Sequence, residues 1–208
     1  MPIPNTRQIA LISMMSAVSV VIAYLKGLAI PSLPGVVEFM TVLIFVSGFC
    51  FGWVIGAAVG VIALTIYMLI PYPFAHPAAW MFSISPILLA VMAALGAMFG
   101  VAGSFASRLT SPQKKTRFML TLGVLGLGLT FLYDVLSSVG FALAYPAFTT
   151  IWQAVVLTFV PLYYLWPPII HTATNAIIFA TVAPALISTI RALPGAMDIS
   201  EPENDDAP

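Results

Sequence analysis

From Phe39 to Ser107 the chain contains no Lys, Arg, Asp or Glu. The surface of a water-soluble domain must be hydrated, and charged side chains supply much of that hydration, so a soluble fold cannot accommodate so long an uncharged stretch. The whole chain agrees, because 61% of its residues are hydrophobic and 7% are charged, against roughly 25% charged in globular domains. The stretch is too long for one membrane crossing and is interrupted by glycine and proline clusters. We therefore predict several consecutive membrane-spanning helices.

One spanning helix needs about 20 residues, so the 208 residues have room for about six. A single helix over residues 36–70 would measure about 52 Å against a hydrocarbon core of about 30 Å, and we divide that segment at Phe51-Gly52-Trp53. We place the spans at about residues 8–30, two within 36–70, 79–103, 118–143 and 167–191.

The predicted fold class is an all-α membrane protein, a six-transmembrane-helix bundle with both termini cytoplasmic. Residues 1–191 form one integral membrane domain, and residues 192–208 form an acidic, disordered cytoplasmic tail. Residues 144–166 are broken by Pro146 and Pro161 and are predicted to cap the bundle at the membrane surface. We expect the first apolar run to be retained as a span rather than removed as a signal peptide.

Orientation follows from the distribution of Lys and Arg, which collect on the cytoplasmic side of membrane proteins. With both termini inside, only Lys26 lies outside. The other six basic residues then lie inside: Arg7, Arg108, Lys114, Lys115, Arg117 and Arg191. This asymmetry independently favours an even number of spans.

Small residues recur at intervals of four, a spacing that lets helix backbones approach closely. The glycines with this spacing are Gly48, Gly52, Gly56, Gly60, Gly96 and Gly100. For these we favour packing within the bundle over a groove that docks another membrane protein. In the first span the same interval separates the pairs Ser13/Ala17 and Ser19/Ala23, and there both interpretations stay open.

The polar residues of the spans collect in the outer half of the predicted bundle. Ionisable side chains inside a membrane are costly and usually functional. Asp134 lies about 13 Å below the outer end of the fifth span, and His171 and Asn175 share one face of the sixth. The predicted ligand-binding residues are Asp134, His171, Asn175, Glu38, Trp80 and His76. Structural pairing, helix packing and interfacial anchoring are the alternative explanations for these residues.

The sequence contains no motif of a known catalytic, nucleotide-binding or metal site. His-Glu-x-x-His, Gly-x-Ser-x-Gly, an Asp-rich metal motif and the phosphate-binding Gly-Lys-Ser/Thr are all missing. We therefore predict that the chain is not an enzyme and holds no cofactor or metal of its own. Uphill transport would need a partner or an ion gradient. A net charge of zero argues against nucleic acid as a partner.

Over about residues 7–191 the chain resembles the substrate-binding S components of energy-coupling factor (ECF) transporters. The resemblance rests on six short spans, cytoplasmic termini and a small-residue stripe on the first span. The family's Ala-x-x-x-Ala docking signature appears here only as Ser13/Ala17 and Ser19/Ala23. Three segments add to it: Phe51-Gly52-Trp53-Val-Ile-Gly56-Ala-Ala-Val-Gly60, Leu132-Tyr133-Asp134 and His171-Thr-Ala-Thr-Asn175-Ala.

The resemblance implies a subunit in a prokaryotic cell membrane that captures a vitamin or related micronutrient at the outer face. It implies association with a transmembrane coupling protein and two cytoplasmic ATPases, which use the ATP, and toppling of the subunit to release its cargo inside. Related cobalt and nickel components carry a His directly after the initiator Met, whereas this chain has Pro2, so metal cargo is not expected. The ligand itself is not identified.

Two other classes of function stay open. One is a standalone ion-coupled carrier with Asp134 as its proton or cation site. The other is an integral membrane protein that modifies lipid or assists assembly. Such a protein would place polar residues near the cytoplasmic headgroups, where this sequence has almost none. ATPase and coupling subunits that purify with the chain would favour the ECF interpretation.

Overall fold

A computed structural model describes residues 5–29, 37–70, 85–145, 150–159 and 167–194. Within these ranges the chain is all-α, with seven helices and no strand. In chain order the helices are α1 Thr6–Ala29, α2 Met40–Phe51, α3 Trp53–Leu69, α4 Pro86–Leu109, α5 Lys115–Ala144, α6 Ile151–Phe159 and α7 Pro167–Ala192.

Four of the described helices, α1, α4, α5 and α7, are long and apolar enough to cross a membrane. The apolar helices α2 and α3 are shorter, with 12 and 17 residues, or about 18 and 26 Å at the usual helical rise. The predicted class of an all-α membrane protein is therefore confirmed. The number of six crossings and the cytoplasmic position of the termini stay predictions. The disordered tail also stays a prediction, because its residues 195–208 lie outside the described residues.

The chain reverses at Gly52, between α2 and α3, where the sequence predicts a turn. Gly52 has a φ of 92°, a left-handed conformation that only glycine adopts without strain. Its backbone N–H donates to the Gly48 carbonyl at 3.0 Å and so closes the last turn of α2. The predicted division of residues 36–70 into two helices is confirmed.

Two other helix boundaries differ from or refine the prediction. The predicted fourth span is residues 79–103, of which residues 79–84 lie outside the described residues. Helix α4 begins at Pro86, where the Ser85 hydroxyl accepts from the Leu88 N–H, and continues to Leu109. Gly103 lies inside this helix, where the helix packs against the backbone of Phe45. The described part of segment 144–166 contains the short helix α6.

Backbone contact between helices α2, α3 and α4 follows a row of glycines, which we call the glycine seam. Its members are Gly48, Gly56, Gly60, Gly96, Gly100 and Gly103. A Cβ atom added to Gly48 or Gly56 would overlap the Gly100 carbonyl, and one added to Gly60 would overlap Gly96. The interpretation of the predicted members as packing residues within the bundle is confirmed, and Gly103 is an additional member that was not predicted. Gly52 differs from the rest, because it serves the turn.

Helix α2 occupies the middle of the bundle, and all 12 of its residues are buried. It packs against α1, α3, α4 and α7. At one end of the bundle the start of α2 meets α7 through Glu38 and Asn175. At the other end the Arg191 guanidinium lies 4.9 Å from the centre of the Phe49 ring. We call these the Glu38 end and the basic end; the latter also carries the α4–α5 connection, residues 110–114, which Arg108 and Arg117 flank.

The glycine seam predicts that Gly100→Ala destabilises the fold, because the new methyl group would overlap the Gly56 carbonyl. Overpacking of this kind costs about 1–3 kcal/mol of unfolding free energy. Gly128→Ala is the matched control, since it is also a helical glycine but has nothing within 4 Å of an added Cβ. Thermal unfolding in one detergent should give a lower Tm for Gly100→Ala and an unchanged or higher Tm for Gly128→Ala. Equal Tm values would contradict the close backbone contact.

Candidate ligand-binding site

Asp134 is a buried carboxylate in α5, with 8% of its surface exposed. The imidazole Nδ1 of His171 lies 3.0 and 3.2 Å from its two carboxylate oxygens. The Thr172 hydroxyl donates to its Oδ2 at 3.3 Å. Because an unpartnered carboxylate would be costly in hydrocarbon, these contacts from α7 are what make its position tolerable.

Asn175 continues this network one turn further along α7, on the same helix face as His171. Its side chain is fully buried, with 0% of its surface exposed. The amide Nδ2 lies 3.1 Å from the other imidazole nitrogen of His171 and donates to the Thr130 hydroxyl at 3.3 Å. Its Oδ1 accepts the backbone N–H of Glu38 at 3.2 Å. Both the nitrogen and the oxygen of this amide are therefore engaged in the network.

The backbone N–H of Glu38 fixes the orientation of the Asn175 amide and, through it, the tautomer of His171. A backbone N–H can only donate, so the amide oxygen faces Glu38 and the amide nitrogen faces His171. The imidazole Nε2 must then be the acceptor, and Nδ1 carries the proton that is donated to Asp134. In this arrangement each imidazole nitrogen has one defined role, Nδ1 as donor to Asp134 and Nε2 as acceptor from Asn175.

The network joins three helices at the Glu38 end. Asp134 and Thr130 belong to α5, His171 and Asn175 to α7, and Glu38 precedes α2. Glu38 participates through its backbone, while its own carboxylate accepts from the Met40 N–H at 3.4 Å. The start of α2 is therefore tied to the two helices that carry the buried polar side chains.

Aromatic side chains pack on the basic-end side of the network. The Phe179 ring, one turn beyond Asn175, lies 5.1 Å from Phe45 and 6.3 Å from Phe99, centre to centre. The Tyr133 ring contacts Phe99 at 5.9 Å and approaches His171 edge-on at 6.4 Å. A few convergent polar groups beside aromatic side chains are typical of small-molecule sites.

The structure brings together four of the six predicted ligand-binding residues: Asp134, His171, Asn175 and Glu38. The other two, His76 and Trp80, lie outside the described residues. Two polar members of the network were missed, Thr130 and Thr172. Thr130 precedes Asp134 by four residues, and that helical spacing could have identified it. The ligand-binding role of these residues stays a prediction.

The predicted docking stripe on α1 does not form one surface. Ser13 and Ala17 are exposed, whereas Ser19 and Ala23 are buried within the bundle. The Ser19 hydroxyl donates to the Met15 carbonyl of its own helix at 2.7 Å. The reason is geometric: residues six apart on a helix that turns about 100° per residue lie about 120° apart around it. Only the Ser13/Ala17 pair is available to a partner with α1 packed as it is.

These observations define a class, a multi-pass helical membrane protein with a buried polar network at one end of its bundle. A family model described as "ECF transporter, substrate-specific component" matches residues 7–187. The chain therefore belongs to this family, whose members are substrate-binding subunits of transporters rather than enzymes. No curated protein and no solved structure matches the chain.

Proposed function

We propose that this S component captures a vitamin or related micronutrient at the outer face of a prokaryotic cell membrane. It passes the ligand inward in a complex with a transmembrane coupling protein and two cytoplasmic ATPases, which supply the energy from ATP. The observation that carries the proposal is the buried network of Asp134, His171 and Asn175 at the Glu38 end, in a chain that belongs to this family.

In this proposal the chain crosses the membrane six times, with α2 and α3 as short crossings. The Glu38 end then faces outward. The opposite orientation would place Arg108, Lys114, Lys115 and Arg117 outside, against the tendency of basic loops to remain cytoplasmic. The proposed orientation puts the ligand network on the side from which a nutrient arrives.

The network favours a ligand that donates hydrogen bonds. Both N–H groups of the Asn175 amide are used within the network. A carboxylate has about four lone-pair positions, and within the described residues Asp134 accepts from His171 and Thr172. A ligand O–H or N–H would bind to Asp134, while a ring of the ligand would pack against Tyr133. We further propose that the segments that carry Glu38, His76 and Trp80 close the site from above.

The exposed pair Ser13/Ala17 on α1 is the proposed docking surface for the coupling protein, because small side chains let a partner helix approach closely. Ser19 and Ala23 act within the bundle instead. The alternative of a standalone ion-coupled carrier draws on the buried Asp134–His171 pair. It differs from the main proposal in needing no ATP.

The ligand site is tested with Asp134→Ala and Asn175→Ala, after the bound small molecule of the purified parent protein has been identified by mass spectrometry. Each substitution should weaken binding of that molecule by about 5- to 150-fold, the equivalent of roughly 1–3 kcal/mol for a buried polar partner left unsatisfied. The controls are Asp205→Ala in the tail and Thr181→Val, whose exposed hydroxyl donates to its own helix. If both site variants fold and bind the molecule with the parental affinity, whatever the change in their Tm, the ligand binds elsewhere.

The energy source is tested by reconstituting the chain in liposomes and measuring uptake of the ligand identified above. The chain alone should bind ligand without accumulating it under ATP, because its sequence has no nucleotide-binding motif. Addition of the coupling protein and both ATPases should give ATP-dependent accumulation. Uptake by the chain alone, driven by a proton or sodium gradient, would support the carrier alternative and refute the proposal.

The docking surface is tested with Ala17→Trp, which adds a bulky group on the exposed face of α1. Uptake by the assembled transporter should fall to background, while ligand affinity in detergent stays unchanged. Val124→Trp is the matched control, since Val124 is 71% exposed on α5, outside the stripe, and should leave uptake intact. Equal uptake by both variants would place docking elsewhere.

A further inference from the structure

The basic end contains a cleft of about 320 Å³ at the α4–α5 connection, which we call the basic cleft. Three cationic side chains line it, from Arg108, Lys114 and Arg117, and three hydroxyl side chains join them, from Ser107, Thr110 and Ser111. No carboxylate is among its lining residues in the part of the chain that the structure describes. The cleft is therefore suited to an anion that accepts several hydrogen bonds, and a phosphate group meets this description.

A second cavity of about 260 Å³ adjoins the basic cleft, and we call it the apolar groove. It is lined by Trp53, Val101, Ser104, Phe105 and Arg108. Arg108 belongs to both cavities, and its guanidinium lies 5.7 Å from the centre of the Phe105 ring. One residue thus joins a cationic site to a mostly apolar one.

The apolar groove lies on the outside of the bundle. Phe105 is 58% exposed and Trp53 45% exposed, and in a membrane protein such side chains face lipid. Arg108 stands in the last turn of α4, where a long basic side chain can reach the headgroup layer from the end of a membrane helix. The groove is therefore open to acyl chains and the basic cleft to headgroups.

We propose that the basic cleft and the apolar groove together bind one anionic phospholipid, with its phosphate beside Arg108, Lys114 and Arg117 and an acyl chain along Trp53 and Phe105. A free phosphate ion has the same headgroup chemistry but would leave the groove unfilled. The adjacency of the two cavities therefore favours the lipid. The inference is independent of which nutrient the protein carries.

Trp53 provides a direct probe, because it lines the groove. The test uses the full chain with Trp80, Trp152 and Trp166 changed to Phe, so that fluorescence reports on Trp53 alone. Phosphatidylglycerol and phosphatidylcholine with brominated acyl chains are titrated separately into the protein in detergent. Bromine quenches Trp fluorescence at contact, and phosphatidylglycerol should reach half-maximal quenching at a concentration about tenfold or more below that of phosphatidylcholine, since each basic residue near an anionic lipid contributes roughly fivefold.

The paired substitutions Arg108→Gln/Arg117→Gln should lower this preference to about fivefold or less, the contribution of the remaining cleft cation, Lys114. The matched control is Arg7→Gln/Lys115→Gln, which removes the same charge from exposed residues that do not line the cleft and should retain most of it. Equal loss in both double variants would reduce the effect to general surface charge and overturn the site. Equal quenching by the two lipids in the parent would also overturn it. A rise in Tm with inorganic phosphate alone, as large as that with phosphatidylglycerol, would show a free-anion site instead.

Discussion

In a bilayer an apolar side chain gains little free energy by exchanging contacts with lipid for contacts with another apolar side chain. Helices in a membrane therefore associate mainly through close van der Waals packing. The glycine seam provides that packing here, because it brings the backbones of α2, α3 and α4 into direct contact. The central position of α2 depends on it. A helix with side chains along this seam could not enter the bundle so deeply, and the start of α2 would then not reach Asn175.

The hydrocarbon of the bilayer also explains why the polar side chains of the network contact one another across two helices. Several hydroxyl groups elsewhere in the helices are satisfied locally, as where Ser47 donates to the Leu43 carbonyl one turn back. A carboxylate, an imidazole and a carboxamide cannot all be satisfied in this way, so Asp134, His171 and Asn175 need one another and a second helix. The contacts that stabilise the α5–α7 pair are therefore made by the side chains that we propose for ligand binding.

Much of the fold follows from the sequence, because the thickness of the bilayer core limits the length of each spanning helix. The turn at Gly52 was predictable, since no single helix of residues 36–70 fits the hydrocarbon core. The grouping of Asp134 with His171 followed from the cost of burying each alone. The backbone N–H of Glu38 could not be foreseen, because a main-chain donor leaves no signal in residue type. The division of the α1 stripe between an exposed and a buried face follows from helical geometry, because the two pairs are offset by six residues.

Helix α2 has a further consequence for how the protein is made. Its 12 residues are about 18 Å long, too short to be inserted across a membrane core of about 30 Å as an independent span. A single glycine separates α2 from α3. No connecting segment is therefore available to remain in water while one of the two helices inserts before the other. We therefore expect α2 and α3 to enter the membrane together, as one helical hairpin. The folding intermediate at this point of biosynthesis would then contain both α2 and α3 in the membrane, and no intermediate would contain α2 alone.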